Sequence, residues 1–153
     1  MANDQLPKTL RFQGVANRIV RVLLRTPLIA RGVGARLITL YVVGRKSGKR
    51  YTVPVAYTAH EGALLIGTPF AWARNLRTGD TVEVRHKGRR RQAGVEALTD
   101  EASVMWGYGV IARDNHSFAG FNNIALDAGG NPDEADLRRS WEVGGRVIRL
   151  TLR

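Results

Sequence analysis

The sequence contains no cysteine, and its three histidines, His60, His86 and His116, lie far apart along the chain. Disulfide frameworks, iron–sulfur clusters and thiolate nucleophiles all require cysteine, and a zinc site requires a set of suitably spaced ligands. These classes of chemistry are therefore excluded, and we predict no metal site.

Acidic residues are scarce. The chain has 13 Asp and Glu against 24 Lys and Arg, which gives a formal net charge of +11. Such an excess of positive charge has to lie on a solvated surface that attracts anions. Nucleic acid, an anionic membrane surface and a polyanionic small molecule are the three classes of partner that this charge would suit.

Long apolar runs are also missing, since no stretch reaches the length of about 18 residues that a membrane-spanning helix needs. The first nine residues are mostly polar and do not resemble a secretory signal, so we expect a cytoplasmic protein. A chain of 153 residues is long enough to bury a core of its own. We therefore expect residues 1–153 to form a single domain.

The apolar spacing predicts an amphipathic helix over residues 10–26, whose polar face carries arginine and which Pro27 ends. Such a helix packs as a lid on its domain or lies on an anionic membrane surface at the inner face of the membrane. Both interpretations remain open on the sequence alone.

From residue 37 the pattern changes to that of β-strands. Three runs form a predicted meander, a hairpin and a last strand follow, and helices are predicted after the hairpin, with Thr99 as the cap of the first. The predicted strands cover residues 38–43, 51–58, 63–66, 82–85, 90–97 and 146–152. About six mostly antiparallel strands with flanking helices indicate an α+β domain built on a small barrel over residues 37–153.

One turn between two predicted strands is both basic and rich in glycine. Glycine at each end lets the backbone approach an anion closely, and the residues between and after the glycines supply donors. The turn reads Gly44, Arg45, Lys46, Ser47, Gly48, Lys49 and Arg50. It predicts a phosphate-binding loop, although an ordinary polar hairpin turn has a similar composition. It is not a Walker motif, because only three residues separate the two glycines.

The order of motifs resembles the deazaflavin-dependent nitroreductases, which are split β-barrel proteins of actinobacteria related in fold to flavin reductases and pyridoxamine-phosphate oxidases. The resemblance covers residues 37–100. It rests on the basic turn, Pro54, a strand ending in Gly67 and Thr68, and Trp72-Ala73-Arg74-Asn75-Leu76. It implies a split barrel that binds coenzyme F-420, whose phosphate and oligoglutamate tail would meet the positive charge.

The resemblance also implies a set of cofactor contacts. Turn residues would hold the phosphate or tail, a segment around the proline would lie against the deazaflavin, and the strand end and the Trp-containing motif would complete the site. These residues are Arg45, Lys46, Ser47, Gly48, Arg50, Val53, Pro54, Val55, Gly67, Thr68, Trp72, Arg74 and Asn75. The chain departs from the family at Tyr51, where an arginine is usual, and in the shortened connection at residues 69–71, which removes an expected contact to the tail.

The implied reaction is hydride transfer from the reduced deazaflavin to a small electron acceptor such as a quinone, an activated alkene or a nitro compound. The candidate proton donors are Tyr51, Tyr57, Thr68 and His116. By analogy with barrels of this kind we also expect a homodimer.

Three alternatives remain. An FMN-binding reductase would use the same fold with a lone phosphate at the turn. A non-catalytic carrier would hold a lipid or haem-type ligand in the barrel. A nucleic-acid binder would use the basic residues 87–91, but the chain lacks a helix-turn-helix or ribonucleoprotein motif, so this class is disfavoured.

Overall fold

The computed structural model describes residues 36–153, and the helix predicted over residues 10–26 lies outside them. The described chain forms seven antiparallel strands, one 3₁₀ helix and three α-helices. The strands are β1 (Leu37–Val43), β2 (Arg50–Ala56), β3 (Thr58–His60), β4 (Ala63–Thr68), β5 (Thr81–His86), β6 (Arg89–Leu98) and β7 (Arg146–Leu152). The 3₁₀ helix covers Ala71–Asn75, and the α-helices are α1 (Glu101–Asp114), α2 (His116–Phe121) and α3 (Glu134–Glu142).

The sheet curls into a barrel because a single stretch of chain forms both of its edges. The strand order is β2-β1-β5-β6-β7-β4-β3. The edge strands β2 and β3 are separated only by Tyr57, whose side chain is buried and whose N–H donates to the carbonyl of Arg36 (3.0 Å). The α+β split barrel predicted from the sequence is confirmed. The predicted strand over residues 51–58 divides at Tyr57, which gives seven strands instead of about six.

Two apolar layers lie on opposite sides of the sheet. Side chains that alternate along a strand point to opposite faces, so Leu64 and Ile66 of β4 enter the barrel, whereas Leu65 lies under the helices. The barrel core also contains Ile38, Leu40, Val42, Val53, Val82, Val84, Ala93, Val95, Ile148 and Leu150. The outer layer joins the sheet to α1, α2 and α3 through Val104, Tyr108, Ile111, Ala112, Ala119, Ile124, Leu137 and Val147.

Helix α1 begins one residue later than the sequence predicts. Asp100 is its cap, since the carboxylate accepts a hydrogen bond from the N–H of Ser103 (3.1 Å). The prediction that Thr99 caps this helix is therefore wrong. An aspartate places a charged acceptor at the helix N-terminus, where the helix dipole favours negative charge. The carbonyl of Thr99 instead accepts a hydrogen bond from Nε1 of Trp141 on α3 (3.0 Å).

A tyrosine–histidine pair fills the barrel end at which β2 finishes. A hydrogen bond of 2.9 Å joins the Tyr57 hydroxyl to Nε2 of His86, and the two rings meet edge to face at 5.2 Å. Burial lowers the pKa of His86 below its ordinary value, and the charges of Lys87 and Arg91 lower it further. The folded protein therefore favours the neutral imidazole.

We expect acid to weaken the fold through His86. Because the pKa is lowered on folding, the stabilising contribution of the neutral imidazole is complete above the ordinary histidine value of about 6.5 and is lost as the pH falls below it. Urea unfolding between pH 5 and pH 7.5 should show stability rising with pH, and His86→Gln should flatten that slope. An unchanged slope in the variant would contradict this assignment.

The hydroxyl of Tyr108 lies in the outer apolar layer and has no hydrogen-bond partner among residues 36–153. The side chain is 1% exposed, and burial raises its pKa. An unpaired buried hydroxyl destabilises a fold because it has lost its contacts with water.

Removing this hydroxyl should stabilise the protein. We expect Tyr108→Phe to raise the free energy of unfolding by about 1 kcal/mol, because it deletes an unsatisfied polar atom and keeps the ring. Tyr57→Phe is the matched control, since it removes a hydroxyl that is bonded to His86 and should lower the free energy of unfolding. Urea titrations of both variants measure the difference. Loss of stability in Tyr108→Phe would mean that the hydroxyl is satisfied in solution.

Candidate functional site

The basic turn between β1 and β2 is closed by its own hydrogen bonds. The N–H of Gly44 donates to the carbonyl of Lys49 (2.8 Å), and the N–H of Gly48 donates to the carbonyl of Gly44 (2.9 Å). The hydroxyl of Ser47 accepts from the N–H of Lys49 (3.1 Å). Gly48 has a φ of +71°, which other residues rarely adopt, and a Cβ on Gly44 would lie 2.8 Å from the hydroxyl of Ser47. The backbone of the turn thus requires Gly48, and a side chain at Gly44 would displace the hydroxyl of Ser47.

The turn is fastened to the 3₁₀ helix through Asn75. The N–H of Arg45 donates to Oδ1 of Asn75 (3.0 Å), and Nε of Arg45 donates to the Asn75 carbonyl (3.2 Å). The amide nitrogen of Asn75 in turn donates to the carbonyl of Trp72 (3.0 Å). The two sequence motifs on which the resemblance rests are therefore in direct contact.

The guanidinium of Arg45 is held by a carboxylate that the sequence analysis did not single out. Nη2 of Arg45 lies 2.5 Å from Oδ2 of Asp80, which also accepts a hydrogen bond from the N–H of Arg77 (2.9 Å). The bond from Arg77 and then the bond and charge of Arg45 lower the pKa of Asp80, which stays ionised. Asp80 is the only acidic residue between Glu61 and Glu83. Its isolation in a basic segment is the one feature of the sequence that could have pointed to it as a partner of the turn.

The exposed lysines of the turn differ from Arg45. Lys46 and Lys49 make no ion pair with any residue in the described part of the chain, and both are exposed. An open groove of about 700 Å³ adjoins the turn and is bordered by β1, β5 and the segment from Asn75 to Asp80. The turn thus presents two cations without a carboxylate partner among residues 36–153. The residues of the turn that line the groove are Gly44, Arg45, Gly48 and Arg50, and Lys46 and Lys49 are not among the lining residues.

A second charged cluster lies along the same groove. The guanidinium carbons of Arg50 and Arg90 lie 4.8 and 4.7 Å from the ring centre of Tyr41. Glu83 bonds both arginines, at 2.7 Å to Arg50 and 2.6 Å to Arg90. These bonds, that of Arg90 first, lower the pKa of Glu83. Arg50, which the resemblance places at the cofactor, therefore already has a carboxylate partner. Sequence analysis did not connect Tyr41, Glu83 or Arg90 with the basic turn, because only strand pairing brings them together.

The segment around Pro54 is divided between the two faces of β2. Val53 is buried in the barrel core and Val55 packs against it, whereas Pro54 alternates to the other face and is half-buried. A ligand on the outer face of β2 would therefore contact the side chain of Pro54 but not that of Val53, which faces the barrel core.

The end of β4 is tightly packed. A Cβ on Gly67 would lie 2.8 Å from the ring of Phe118 and 3.0 Å from that of Tyr108, so this glycine serves the contact with the helices. Thr68 is buried, and its hydroxyl accepts from the N–H of Phe70 (3.0 Å), which shapes the approach to the 3₁₀ helix. On that helix Trp72 packs against the barrel core and Arg74 is exposed.

The four candidate proton donors do not converge. Tyr51 lies beside Gly44, and Thr68 leads into the 3₁₀ helix at the same end of the barrel. Tyr57 is six residues further along the chain than Tyr51, a distance of about 20 Å in extended chain, and it contacts His86. His116 is exposed at the start of α2.

Two further features of residues 36–153 bear on function. No group of three His, Asp or Glu side chains is placed to hold a metal ion there. In the same part of the chain, no helix combines the length and the apolarity that crossing a membrane requires.

Comparison with known protein families decides the assignment. The model of the F-420H(2)-dependent quinone reductase family matches residues 21–119, which include the basic turn, β4 and the 3₁₀ helix. The chain belongs to this family. It is thus an oxidoreductase of the F-420-dependent quinone reductases, its cofactor is coenzyme F-420, and the resemblance to deazaflavin-dependent enzymes is confirmed.

One solved structure supports the fold, and a second is a weaker match. The conserved hypothetical protein Rv2991 of Mycobacterium tuberculosis has a TM-score of 0.50 and 15% sequence identity, and the match covers 77% of this chain and 73% of that one. A FAD-binding protein of Mesorhizobium loti has a TM-score of 0.44 at 17% identity, with coverage of 84% and 88%. At 15% identity, the similarity to Rv2991 shows the fold alone. No curated protein matches the sequence.

Asn75 should be the residue on which the placement of the turn depends. We expect Asn75→Ala to lower the free energy of unfolding by about 1–2 kcal/mol and to weaken F-420 binding, because the turn loses its attachment to the 3₁₀ helix. Asn122→Ala is the control, since the Asn122 amide makes one bond of similar kind to the Phe118 carbonyl, away from the turn. Urea unfolding and fluorescence titration measure both effects. Equal cofactor affinity in the two variants would contradict the proposed role of Asn75.

Proposed function

We propose that this protein binds the anionic part of coenzyme F-420 at the basic turn and reduces a quinone with the electrons that the cofactor carries. The observation that carries this proposal is a turn shaped by its own hydrogen bonds that presents Lys46 and Lys49 without a carboxylate partner among the described residues. Rigid donors around an uncompensated positive charge favour phosphate and carboxylate ligands.

The side chains present fit such a cofactor. Lys46 and Lys49 supply ammonium groups, and Arg74 supplies a guanidinium at the same end of the barrel. Arg45 and Arg50 contribute differently, because Asp80 already pairs with Arg45, and Glu83 is shared between Arg50 and Arg90. We therefore assign Arg45 to holding the turn in place, with Lys46 and Lys49 as the residues that contact the anion.

When bound, the deazaflavin supplies the hydride. Reduction of a quinone to a quinol also consumes one proton, which the protein has to deliver to a quinone oxygen. We propose Tyr51 and Thr68 for this role, because both lie at the barrel end that carries the turn. Tyr57 and His116 would serve only an acceptor that reaches the other end of the barrel.

Nitro compounds and activated alkenes accept a hydride by the same chemistry, and we propose them as further acceptors. Pairing of two copies of the chain and contact with an anionic membrane surface remain predictions from the sequence.

Loss of one turn lysine should weaken cofactor binding. We expect Lys46→Gln to raise the Kd for oxidised F-420 about tenfold, which equals about 1.4 kcal/mol, because one charge-assisted bond to the anion is lost. Lys87→Gln is the matched control: it makes the same change of charge in the exposed β5–β6 hairpin, at the far end of β5 from Asp80. Fluorescence titration at constant ionic strength measures both, and the control should change the Kd less than twofold.

Parallel titrations with FMN distinguish the cofactors, and assays of the reduced F-420 complex with menadione and with a nitroaromatic compare the acceptors. Tighter binding of FMN than of F-420 would replace the proposed cofactor while keeping the barrel. Equal weakening by Lys46→Gln and Lys87→Gln would show that only the overall charge matters, and would reject the turn as the binding site.

A further inference from the structure

Arg146 is a second cation of the barrel that has no ion-pair partner among residues 36–153. It begins β7 directly opposite Thr68 at the end of β4. Because Ile148 and Leu150 of β7 belong to the barrel core, the alternation of side chains places Arg146 on the barrel-facing side of the strand. Its side chain therefore lies at the barrel end that the 3₁₀ helix covers.

The environment of Arg146 is unusual for an arginine. Three arginines within residues 36–153 are half-buried, and two of them, Arg36 and Arg149, are paired with Asp114 and Glu96. Arg146 makes no ion pair and no side-chain hydrogen bond with any residue of that range. A guanidinium has five N–H donors. When a guanidinium is removed from bulk water, these donors normally make hydrogen bonds to acceptors of the protein or of a ligand.

A second cation lies close to Arg146. Arg74 is in the last turn of the 3₁₀ helix, is exposed, and has no acidic partner in the described part of the chain. Burial lowers the pKa of Arg146, and the charge of Arg74 lowers it further, so the two guanidinium groups repel each other. Neighbouring like charges destabilise a fold unless an anion lies between or beside them.

The short connection at residues 69–71 keeps Arg74 close in the chain to the end of β4, where Arg146 lies. It returns the chain from the end of β4 into the 3₁₀ helix within three residues, and the hydroxyl of Thr68 shapes this return by accepting the N–H of Phe70. The helix that carries Arg74 therefore begins three residues after Thr68, the residue that faces Arg146 across the β4–β7 pair.

We propose that Arg74 and Arg146 together form an oxyanion site, which binds a phosphate or carboxylate group at the barrel end beside Thr68. If the cofactor provides that group, the inference rests on the proposed function. The two arginines then replace the contact to the cofactor tail that the shortened connection at residues 69–71 removes. An acidic electron acceptor is the other source of the same chemistry.

The test uses Arg146→Gln, Arg74→Gln and the double variant of the full chain, with Arg149→Gln as the control. Arg149 is on the same strand, is half-buried and is paired with Glu96, so its replacement removes an equal charge from a compensated position. The probes are inorganic phosphate, oxidised F-420, and the deazaflavin chromophore without phosphate and tail. Sodium chloride keeps the ionic strength constant.

Phosphate should raise the Tm of the wild type and of Arg149→Gln, and most of this shift should be lost in Arg146→Gln and Arg74→Gln. We expect the Kd for F-420 to rise about tenfold in either single variant. The double variant should be little worse than either single one, because one bound group contacts both arginines. Affinity for the chromophore alone should be the same in all variants.

Stability in phosphate-free buffer separates a binding role from a structural one. Arg74→Gln should keep or raise the Tm there, because it removes the repulsion between the two guanidinium groups, whereas a supporting role of Arg74 in the fold would mean that the variant lowers the Tm.

Loss of the Tm shift by phosphate with an unchanged F-420 affinity would support the oxyanion site and assign it to the electron acceptor. Failure of the wild type to bind F-420 would reject the proposed function, while the phosphate shifts would still test the arginine pair. An unchanged phosphate shift in Arg146→Gln would overturn the inference.

Discussion

Closure of the barrel depends on one stretch of chain, residues 50–60, which pairs with β1 on one side and with β4 on the other. Because β2 and β3 are continuous apart from Tyr57, the chain itself joins the two ends of the strand order. The same closure brings the turn after β1, the end of β4 and the start of β5 to one end of the barrel. All proposed cofactor contacts follow from that juxtaposition.

Carboxylates decide which of the many cations at this end are available. Asp80 holds Arg45, and Glu83 holds both Arg50 and Arg90. These pairs are exposed and contribute little to stability by themselves, but they direct the guanidinium groups along the protein surface. The lysines of the turn lack such partners among residues 36–153. The net charge of +11 is therefore a poor guide to the site, and the distribution of 13 acidic residues is a better one.

Most secondary structure and the family were accessible from the sequence, because alternating strands, glycine-bounded turns and capped helices are encoded over a few residues. The misses have local physical causes. Asp100 rather than Thr99 caps α1. Both residue types are good helix caps, and only the hydrogen bond from Ser103 shows which of the two is the cap. The sequence of residues 51–58 does not predict that this run forms two strands. A tyrosine such as Tyr57 is as compatible with the interior of one strand as with the junction of two sheet edges.

The sequence by itself determined the fold class, the basic turn and the motif containing Trp72 and Asn75, because each is encoded by residues close together in the chain. Only the tertiary structure decided what those residues contact. Arg45 and Arg50 meet carboxylates 35 and 33 residues away, and these pairings depend on strand order. The same order places Arg146 opposite Thr68, with no carboxylate partner in the described part of the chain, a juxtaposition that no local pattern encodes.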